Sequence, residues 1–396
     1  MRKITLFIVL LTLSGFFLHA SLIDGYKKGT IYLIPSNDFG IGQDWDSLFY
    51  DLYKQMVIAP DGSIFVSNSR QHNIFKFDKD GRKILQFSQR GRGPGDTDGP
   101  CRMSILDGKY LTIEENALNN KITIFDFQGK CIKVLKTEHS VYDHCALANN
   151  KVAYVTRKST KSPDQVERKV IIKDVKTGVE KTILSSEMLD VNYVRVNGGK
   201  DVQYMMQFPT NMGNIILETD KNGNIVVGVS TTPDIKIFSP DGKLLRSFPL
   251  SIAHLKVTDE FIRKYKEQVL KRMENGDEKT GSKPYNKVFV NAVKKTSFDR
   301  LFDKYFPYYK YLQVDEEGNI LVFKNFECID NCPVVFQVYS PEGKYIYETI
   351  IDQGNYSFDI DNRFRNFQFT SHAVYGLFQL KDSDDISIRL MKMKID

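Results

Sequence analysis

A unit of apolar strands joined by glycine turns recurs along the chain and constrains the fold more than any other feature of the sequence. In residues 57–66 two apolar runs flank the dipeptide Asp61-Gly62, and in residues 74–87 two more runs flank a second Asp-Gly pair. Asp-Gly favours a tight hairpin because both central residues of a type I′ turn take positive φ. Four strands with two hairpin turns about 19 residues apart are typical of one blade of a β-propeller.

The same unit returns along the rest of the chain, and six copies are recognisable. The third copy is degenerate and the sixth has lost its turn glycines, while both keep strand-like apolar runs. A glycine turn every ~20 residues would break helical repeats, which excludes a helical solenoid. The sequence therefore predicts an all-β fold, a six-bladed β-propeller; a pair of β-sandwiches or an open array of strands is the alternative. The copies cover residues 57–87, 104–130, 147–183, 215–248, 312–343 and 364–393.

The last copy ends near the C-terminus with little room for an outer strand. An isolated apolar run at residues 30–34, Thr-Ile-Tyr-Leu-Ile, is able to supply that strand. Closing the ring with strands from both ends of the chain removes exposed sheet edges, which would otherwise pair with other chains. We therefore expect residues 30–34 to pair into the last blade.

One stretch between the fourth and fifth copies departs from the strand pattern and predicts helices. Thr258 is a suitable N-cap, acidic residues follow in the first turn, and apolar residues at helical spacing share a face as far as Gly276. Residues 283–306 show a similar pattern. We predict a helical insertion over about residues 257–306 that lies on one mouth of the propeller as a cap or rim.

The N-terminus has the layout of a secretory signal peptide. Two basic residues precede an apolar run of about 15 residues, too short to span a bilayer, and Ala20 then precedes Ser21. We predict cleavage after Ala20, which leaves residues 21–396 as one propeller domain in the periplasm or outside the cell, with no membrane span. A retained membrane anchor is the alternative. A lipoprotein is not expected, because the first cysteine is Cys101 and does not follow the apolar run.

Several sequence segments of the repeat resemble those of a known group of proteins. They are Pro-Asp-Gly-Ser-Ile-Phe-Val-Ser-Asn at residues 60–68, Ile-Phe-Lys-Phe-Asp-Lys-Asp-Gly at residues 74–81, the glycine-proline loop at residues 91–96, and residues 312–320. The chain resembles the six-bladed propellers of bacterial envelopes, which are related to NHL-repeat and TolB-like propellers. The resemblance covers about three blades closely and implies the propeller fold. The motifs of this group are structural, so no functional residue is carried over.

A few residues are candidates for a ligand site. Arg90 and Arg92 lie in the glycine-proline loop, whose spacing fits neither a dinucleotide-binding loop nor a P-loop, and they are candidates for an anionic ligand at one mouth. Trp45, the single tryptophan, is the aromatic candidate. Cys328 and Cys332 bracket three residues, and in an oxidising compartment this spacing predicts a small loop disulfide.

The sequence shows no recognisable reaction centre. His139, Asp143, His144 and Cys145 cluster in the chain but match no metal-binding motif, and we predict a plain loop there. No motif for nucleophilic catalysis is present. We expect no catalytic residue, no metal and no cofactor.

Two classes of function remain open. The first is an exported, non-catalytic binding or scaffolding propeller that recognises a protein, peptide or glycan at one mouth. The second is a propeller enzyme of the lactonase, lyase or quinoprotein-dehydrogenase type, with a metal or cofactor at the central channel. The chain holds 55 Lys and Arg against 49 Asp and Glu, and so small a surplus excludes nucleic acid as the partner. Polar groups that converge on the channel from several blades would favour the enzyme.

Overall fold

The structure of the protein is a computed structural model, and it describes residues 22–49, 54–91, 93–115, 120–161, 165–189, 193–197, 203–207, 213–276, 283–325, 333–357, 366–370, 373–380 and 388–395. The first blade is preceded by α1 (Leu22–Tyr26), β1 (Thr30–Pro35) and α2 (Trp45–Leu48). The first blade consists of β2 (Lys54–Ile58), β3 (Ile64–Asn68), β4 (Asn73–Phe77) and β5 (Lys83–Phe87). The second consists of β6 (Pro100–Leu106), β7 (Tyr110–Glu115), β8 (Lys121–Asp126) and β9 (Cys131–Lys136). The third consists of β10 (Val141–Leu147), β11 (Lys151–Ser159), β12 (Gln165–Asp174) and β13 (Glu180–Leu189).

A separate hairpin follows the third blade and consists of β14 (Tyr193–Asn197) and β15 (Gln203–Gln207). The fourth blade consists of β16 (Ile215–Thr219), β17 (Ile225–Val229), β18 (Asp234–Phe238) and β19 (Leu244–Pro249). The insertion then contains α3 (Asp259–Asn275), α4 (Lys287–Lys294) and a 3-10 helix (Asp299–Leu301). The fifth blade consists of β20 (Tyr309–Val314), β21 (Ile320–Lys324), β22 (Val334–Tyr339) and β23 (Tyr345–Asp352). The sixth contains β24 (Tyr356–Ser357), β25 (Phe367–Phe369), β26 (Ala373–Leu380) and β27 (Ile388–Ile395).

The hydrophobic core is divided among the interfaces between neighbouring blades. One cluster lies between each successive pair of blades, and a further cluster lies between the sixth and the first. The alternation of side chains along each strand explains this division, since Ile215 packs toward the third blade and Ile216 toward the fifth. Each blade is therefore buried on both faces, and the predicted six-bladed propeller is confirmed.

Polar side chains also join neighbouring blades near their inner strands. The amide of Gln313 donates to the carbonyl of Phe367 at 2.9 Å, which joins the fifth blade to the sixth. The side-chain oxygen of Gln368 accepts from the backbone N–H of Ile58 at 3.1 Å, which joins the sixth to the first. These bonds satisfy backbone groups that an inner strand leaves unpaired on its open edge.

The N-terminal strand closes the ring, as the sequence predicts. The second half of β1 pairs antiparallel with β27, with Leu33 opposite Ile395. The first half pairs in parallel with β23, with Thr30 opposite Ile350. The strand therefore lies at the outer edge of the sixth blade and also joins the fifth, which the sequence did not indicate. Behind it, Tyr26 of α1 is fully buried and donates to Asp315 at 3.0 Å.

The two mouths of the propeller differ in the length of their connections. The first and last hairpin turns of a blade lie at one mouth, which we name the turn mouth; at Gly62 and Gly223 such turns take φ of +81° and +75°. The connections from one blade to the next lie at the other mouth, together with the middle turn of each blade, and we name it the crossover mouth. It carries the loop 88–99, the hairpin of β14 and β15, and the insertion. Long connections on a rigid support are typical of binding surfaces.

The insertion has the helices that the sequence predicts. The side chain of Thr258 accepts from the N–H of Phe261 at 3.1 Å and caps α3, and Gly276 is the C-cap that follows its last residue. Its two helices share a core of their own, centred on Met273 and Val293. Residues 283–286 are not helical, so the second helix is shorter than the pattern indicated.

The insertion emerges at the crossover mouth and reaches toward the third blade. At its two ends Leu250 donates to the carbonyl of Pro233, and Tyr308 donates to that of Ser230, each at 2.8 Å. Leu189, at the end of the long outer strand of the third blade, packs against the core of the insertion. These contacts place the insertion at the crossover mouth, against the third and fourth blades.

Candidate ligand-binding site

The inner wall of the propeller contains a buried ion pair. Arg102 lies on β6 and Asp143 on β10, and their side chains are 3% and 1% exposed while their charged atoms are in contact. The other oxygen of Asp143 accepts from the backbone N–H of Leu217 on β16 at 2.9 Å. One carboxylate thus joins the inner strands of three blades.

Further polar groups surround this ion pair. His144 contacts the hydroxyl of Thr112 through Nε2 at 3.0 Å, and its Nδ1 lies 4.0 Å from the carboxylate of Glu114. All three side chains are buried. The prediction of a plain loop at residues 139–145 is wrong, because Asp143 and the residues after it belong to β10. Their polar side chains find partners on other blades, which a local pattern does not reveal.

Opposite charges lie side by side in this inner part of the propeller. Besides Arg102 and Asp143, the side chains of Lys121 and Glu115 on the second blade are 2.8 Å apart. Within the ranges that the structure describes, no three His, Cys, Asp or Glu side chains come together as a metal site.

Arg90 lies at the crossover mouth between the first and second blades. Its side chain is 76% exposed and lies 3.7 Å from the carboxylate of Asp98. The glycine-rich loop around it is closed on itself, since the N–H of Gly93 donates to the carboxylate of Asp96 at 3.0 Å. The carboxylate of Asp96 therefore occupies the place within the loop where an anionic ligand would otherwise bind. Arg92 lies outside the described residues.

Trp45 lies elsewhere, at the outer rim between the sixth and first blades. Its indole stacks on Phe49 with ring centroids 5.7 Å apart and contacts Phe77 at the same separation. It is half-buried and lines a cleft of about 370 Å³ between residues 36–46 and β27. We name this cavity the rim cleft. Trp45 and Arg90 thus belong to different surfaces, although the sequence suggested them together.

The insertion presents the most distinctive surface at the crossover mouth. Residues 257–306 contain 12 Lys and Arg against 8 Asp and Glu, which is most of the chain's net charge of +6. Tyr285 and Val288 are 51% and 55% exposed, and Tyr285 stacks on Phe289 at 5.7 Å. Lys283 and Lys287 flank them and are also exposed. Sequence reasoning located this insertion but not its exposed apolar residues, because a helical pattern does not show which side is covered.

The cysteines of the described residues are thiols. Burial, together with the nearby carboxylate of Glu114, raises the pKa of the Cys101 thiol to about 12. Cys131 and Cys145 likewise carry thiols. Cys328 and Cys332 lie outside the described residues, and their disulfide stays a prediction.

Comparisons with known proteins agree with this architecture. A family described as a 6-bladed beta-propeller matches residues 52–198. A Bacteroides fragilis protein described as exported is similar in structure, with 12% identity, 92% of this chain and 95% of that chain covered, and a TM-score of 0.50. A member of the duf4221 family from Bacteroides vulgatus gives 11% identity, coverages of 92% and 96%, and a TM-score of 0.50. No curated protein matches the sequence.

An enzyme is also found among the similar structures. A gluconolactonase from Xanthomonas campestris is 10% identical, with 92% of this chain and 97% of that chain covered and a TM-score of 0.42. So low a score carries no argument about activity, and the other similarities show the fold alone. The chain is a six-bladed β-propeller, and no helix in the described ranges is long and apolar enough to cross a membrane. The finer resemblance to NHL-repeat and TolB-like propellers stays a prediction.

Proposed function

We propose that this propeller is an exported, non-catalytic binding protein that recognises a partner protein through the insertion at its crossover mouth. The observation that carries the proposal is the exposed patch around Tyr285, in which aromatic and aliphatic side chains lie among lysines. Such a combination is typical of protein interfaces, where apolar anchors are surrounded by a polar rim. The expected partner presents apolar residues among carboxylates.

The charge of the insertion supports an acidic partner. Three of its eight acidic residues are paired with cations within the insertion: Glu260 with Lys264, Glu267 with Arg263, and Glu274 with Lys294. The insertion still holds 12 Lys and Arg against 8 Asp and Glu, and Lys283 and Lys287 belong to this excess. Charges of this kind at the rim of an interface steer association and raise the rate of encounter.

The insertion is built as a unit that can be tested separately from the propeller. It has its own core, and both ends bond to one short segment of the fourth blade, Ser230 and Pro233. A short Gly-Ser linker in place of residues 253–306 would therefore connect the fourth and fifth blades without distorting either. We expect this variant to keep a cooperative unfolding transition and to lose binding to the partner.

Site-specific photocrosslinking is the direct test. A photoreactive phenylalanine analogue is placed at Tyr285 in the full chain, expressed in cells, and the adduct is identified by mass spectrometry. The same analogue at Lys243, which is exposed at the turn mouth, is the matched control. We expect one acidic protein to crosslink at position 285, and the purified pair to dissociate more readily after Lys283→Glu and Lys287→Glu. Equal labelling from both positions, or binding unchanged by the charge reversals, would show the proposal wrong.

The enzyme alternative rests on the polar groups of the inner strands. Arg102, Asp143 and His144 are the residues that would carry it, since Asp143 and His144 on the third blade lie against Arg102 and Glu114 on the second. Metal analysis of the purified protein discriminates between a binding protein and a propeller enzyme. Stoichiometric metal that is lost in Asp143→Asn would favour a propeller enzyme of the lactonase, lyase or quinoprotein-dehydrogenase type.

Export itself is part of the proposal. The signal peptide lies outside the described residues, and the predicted cleavage after Ala20 places the mature N-terminus directly before α1. N-terminal sequencing of protein recovered outside the cytoplasm is expected to begin at Ser21. A chain that begins at Met1 would remove the basis for a periplasmic or secreted location.

A further inference from the structure

We propose a second binding site, independent of the insertion: the rim cleft between the sixth and first blades binds a neutral saccharide. The cleft has a volume of about 370 Å³ and is formed by residues 36–46 on one side and β27 on the other. This volume lies within the range of small-molecule sites in proteins. The site belongs to the connection that follows the closing strand and shares no residue with the insertion.

The loop that forms the cleft is fixed in place before any ligand arrives. The N–H of Gly40 donates to the carbonyl of Asp80 at 2.8 Å, and the side chain of Gln43 accepts from the N–H of Lys83 at 3.2 Å. Gly40 has a φ of +71°, and a Cβ there would lie 2.5 Å from the Trp45 ring. The loop is therefore packed directly against the indole. A fixed loop reduces the entropy lost on binding.

The side chains of the cleft match the chemistry of a sugar. Trp45 supplies an apolar ring, and one face of a pyranose is likewise apolar because its C–H groups point to one side. Asp44 and Asp46 supply carboxylate oxygens, which accept hydrogen bonds from hydroxyl groups. Arg389 and Lys392 supply donors on the opposite side of the cleft. A molecule with many hydroxyls that both donate and accept fits such a set of partners.

The balance of charges argues for a neutral ligand. Two carboxylates and two cations line the same cleft, so an anion or a cation would meet a like charge at close range. A neutral polyol avoids this repulsion and bonds to both kinds of group. A zwitterion such as a dipeptide is the competing ligand, and the test separates the two.

Trp45 makes the experiment simple, because it is the single tryptophan of the chain and its fluorescence reports on this cleft alone. The full protein is titrated with glucose, mannose, N-acetylglucosamine, maltose and cellobiose, and separately with glycylglycine. We expect at least one saccharide to shift the emission and to protect Trp45 from quenching by iodide, with a Kd of about 1 mM or below. Glycylglycine is expected to have no effect.

Variants then assign the response to the cleft. Asp46→Asn and Arg389→Gln each remove one charge while Trp45 remains, and we expect each to weaken saccharide binding about tenfold or more. Lys130→Gln is the control, because Lys130 is exposed on the turn between β8 and β9 of the second blade and does not line the cleft. This variant should bind saccharide as the native protein does. The variant that lacks residues 253–306 should also bind normally, which separates this site from the proposed function. No response to any of the sugars, a response to glycylglycine alone, or equal binding by the cleft variants overturns the proposal.

Discussion

Removing one partner of the ion pair between Arg102 and Asp143 is predicted to destabilise the propeller strongly. In Asp143→Asn the amide oxygen still accepts from the N–H of Leu217, so the specific loss is the negative charge beside Arg102. That guanidinium then loses the carboxylate with which its charged atoms are in contact, and breaking a buried pair in this way costs about 3–5 kcal/mol. The free energy of unfolding, obtained from urea titrations followed by far-UV circular dichroism, measures the loss.

Two further variants show whether burial is the cause. In the double variant Arg102→Met with Asp143→Asn both charges of the pair are removed together, and we expect most of the stability to return, to within about 1–2 kcal/mol of the native protein. The control is the exposed pair of Arg90 and Asp98, where Asp98→Asn should cost less than about 1 kcal/mol. The reasoning is refuted if Asp143→Asn costs no more than the exposed variant, or if the double variant is less stable than the single.

Three other predictions concern turns and cysteines. Gly178→Ala, at φ +77° with open space around it, should lower the free energy of unfolding by about 1–2 kcal/mol. Gly223→Ala has a similar φ of +75°, but its new Cβ would lie 2.8 Å from a backbone nitrogen, so it should lower that free energy by at least about 1 kcal/mol more in the same urea titration. Because the pKa of the Cys101 thiol is raised to about 12, thiolate is scarce at pH 8, so alkylation there should be far slower in native than in unfolded protein; equal rates would contradict its burial. Peptide mapping without reductant should find Cys328 joined to Cys332, and free thiols at both positions would remove that prediction.

Much of the fold could be predicted because its determinants are local. The cap at Thr258 and the stop at Gly276 are properties of neighbouring residues, and the structure places α3 between them. The same holds for the glycine turns that separate the strands of a blade. The closing strand was predictable for a different reason, since a ring that lacks an outer strand has to obtain one from the other end of the chain.

The candidate sites were less predictable because they depend on distant pairs. Asp143 is explained by Arg102, which lies on another blade, and the residues around Asp143 show no pattern of their own. The hairpin of β14 and β15 was missed because it lies outside the repeated unit of four strands. The rim cleft arises where Trp45 meets Arg389 near the opposite end of the chain, and no spacing in the sequence indicates such a meeting.

The closing strand also has a consequence for the order of folding. Thr349 bonds to the backbone of Tyr26 over a separation of 323 positions, and β1 pairs with β23 and β27. Contacts between such distant segments form late and slowly, because the intervening chain has to be ordered first. The earlier blades are able to assemble from neighbouring segments before the N-terminal strand pairs with its partners. A chain cut before β27 would therefore retain an N-terminal strand with an unsatisfied edge, and that open intermediate is the species we expect chaperones or proteases to meet.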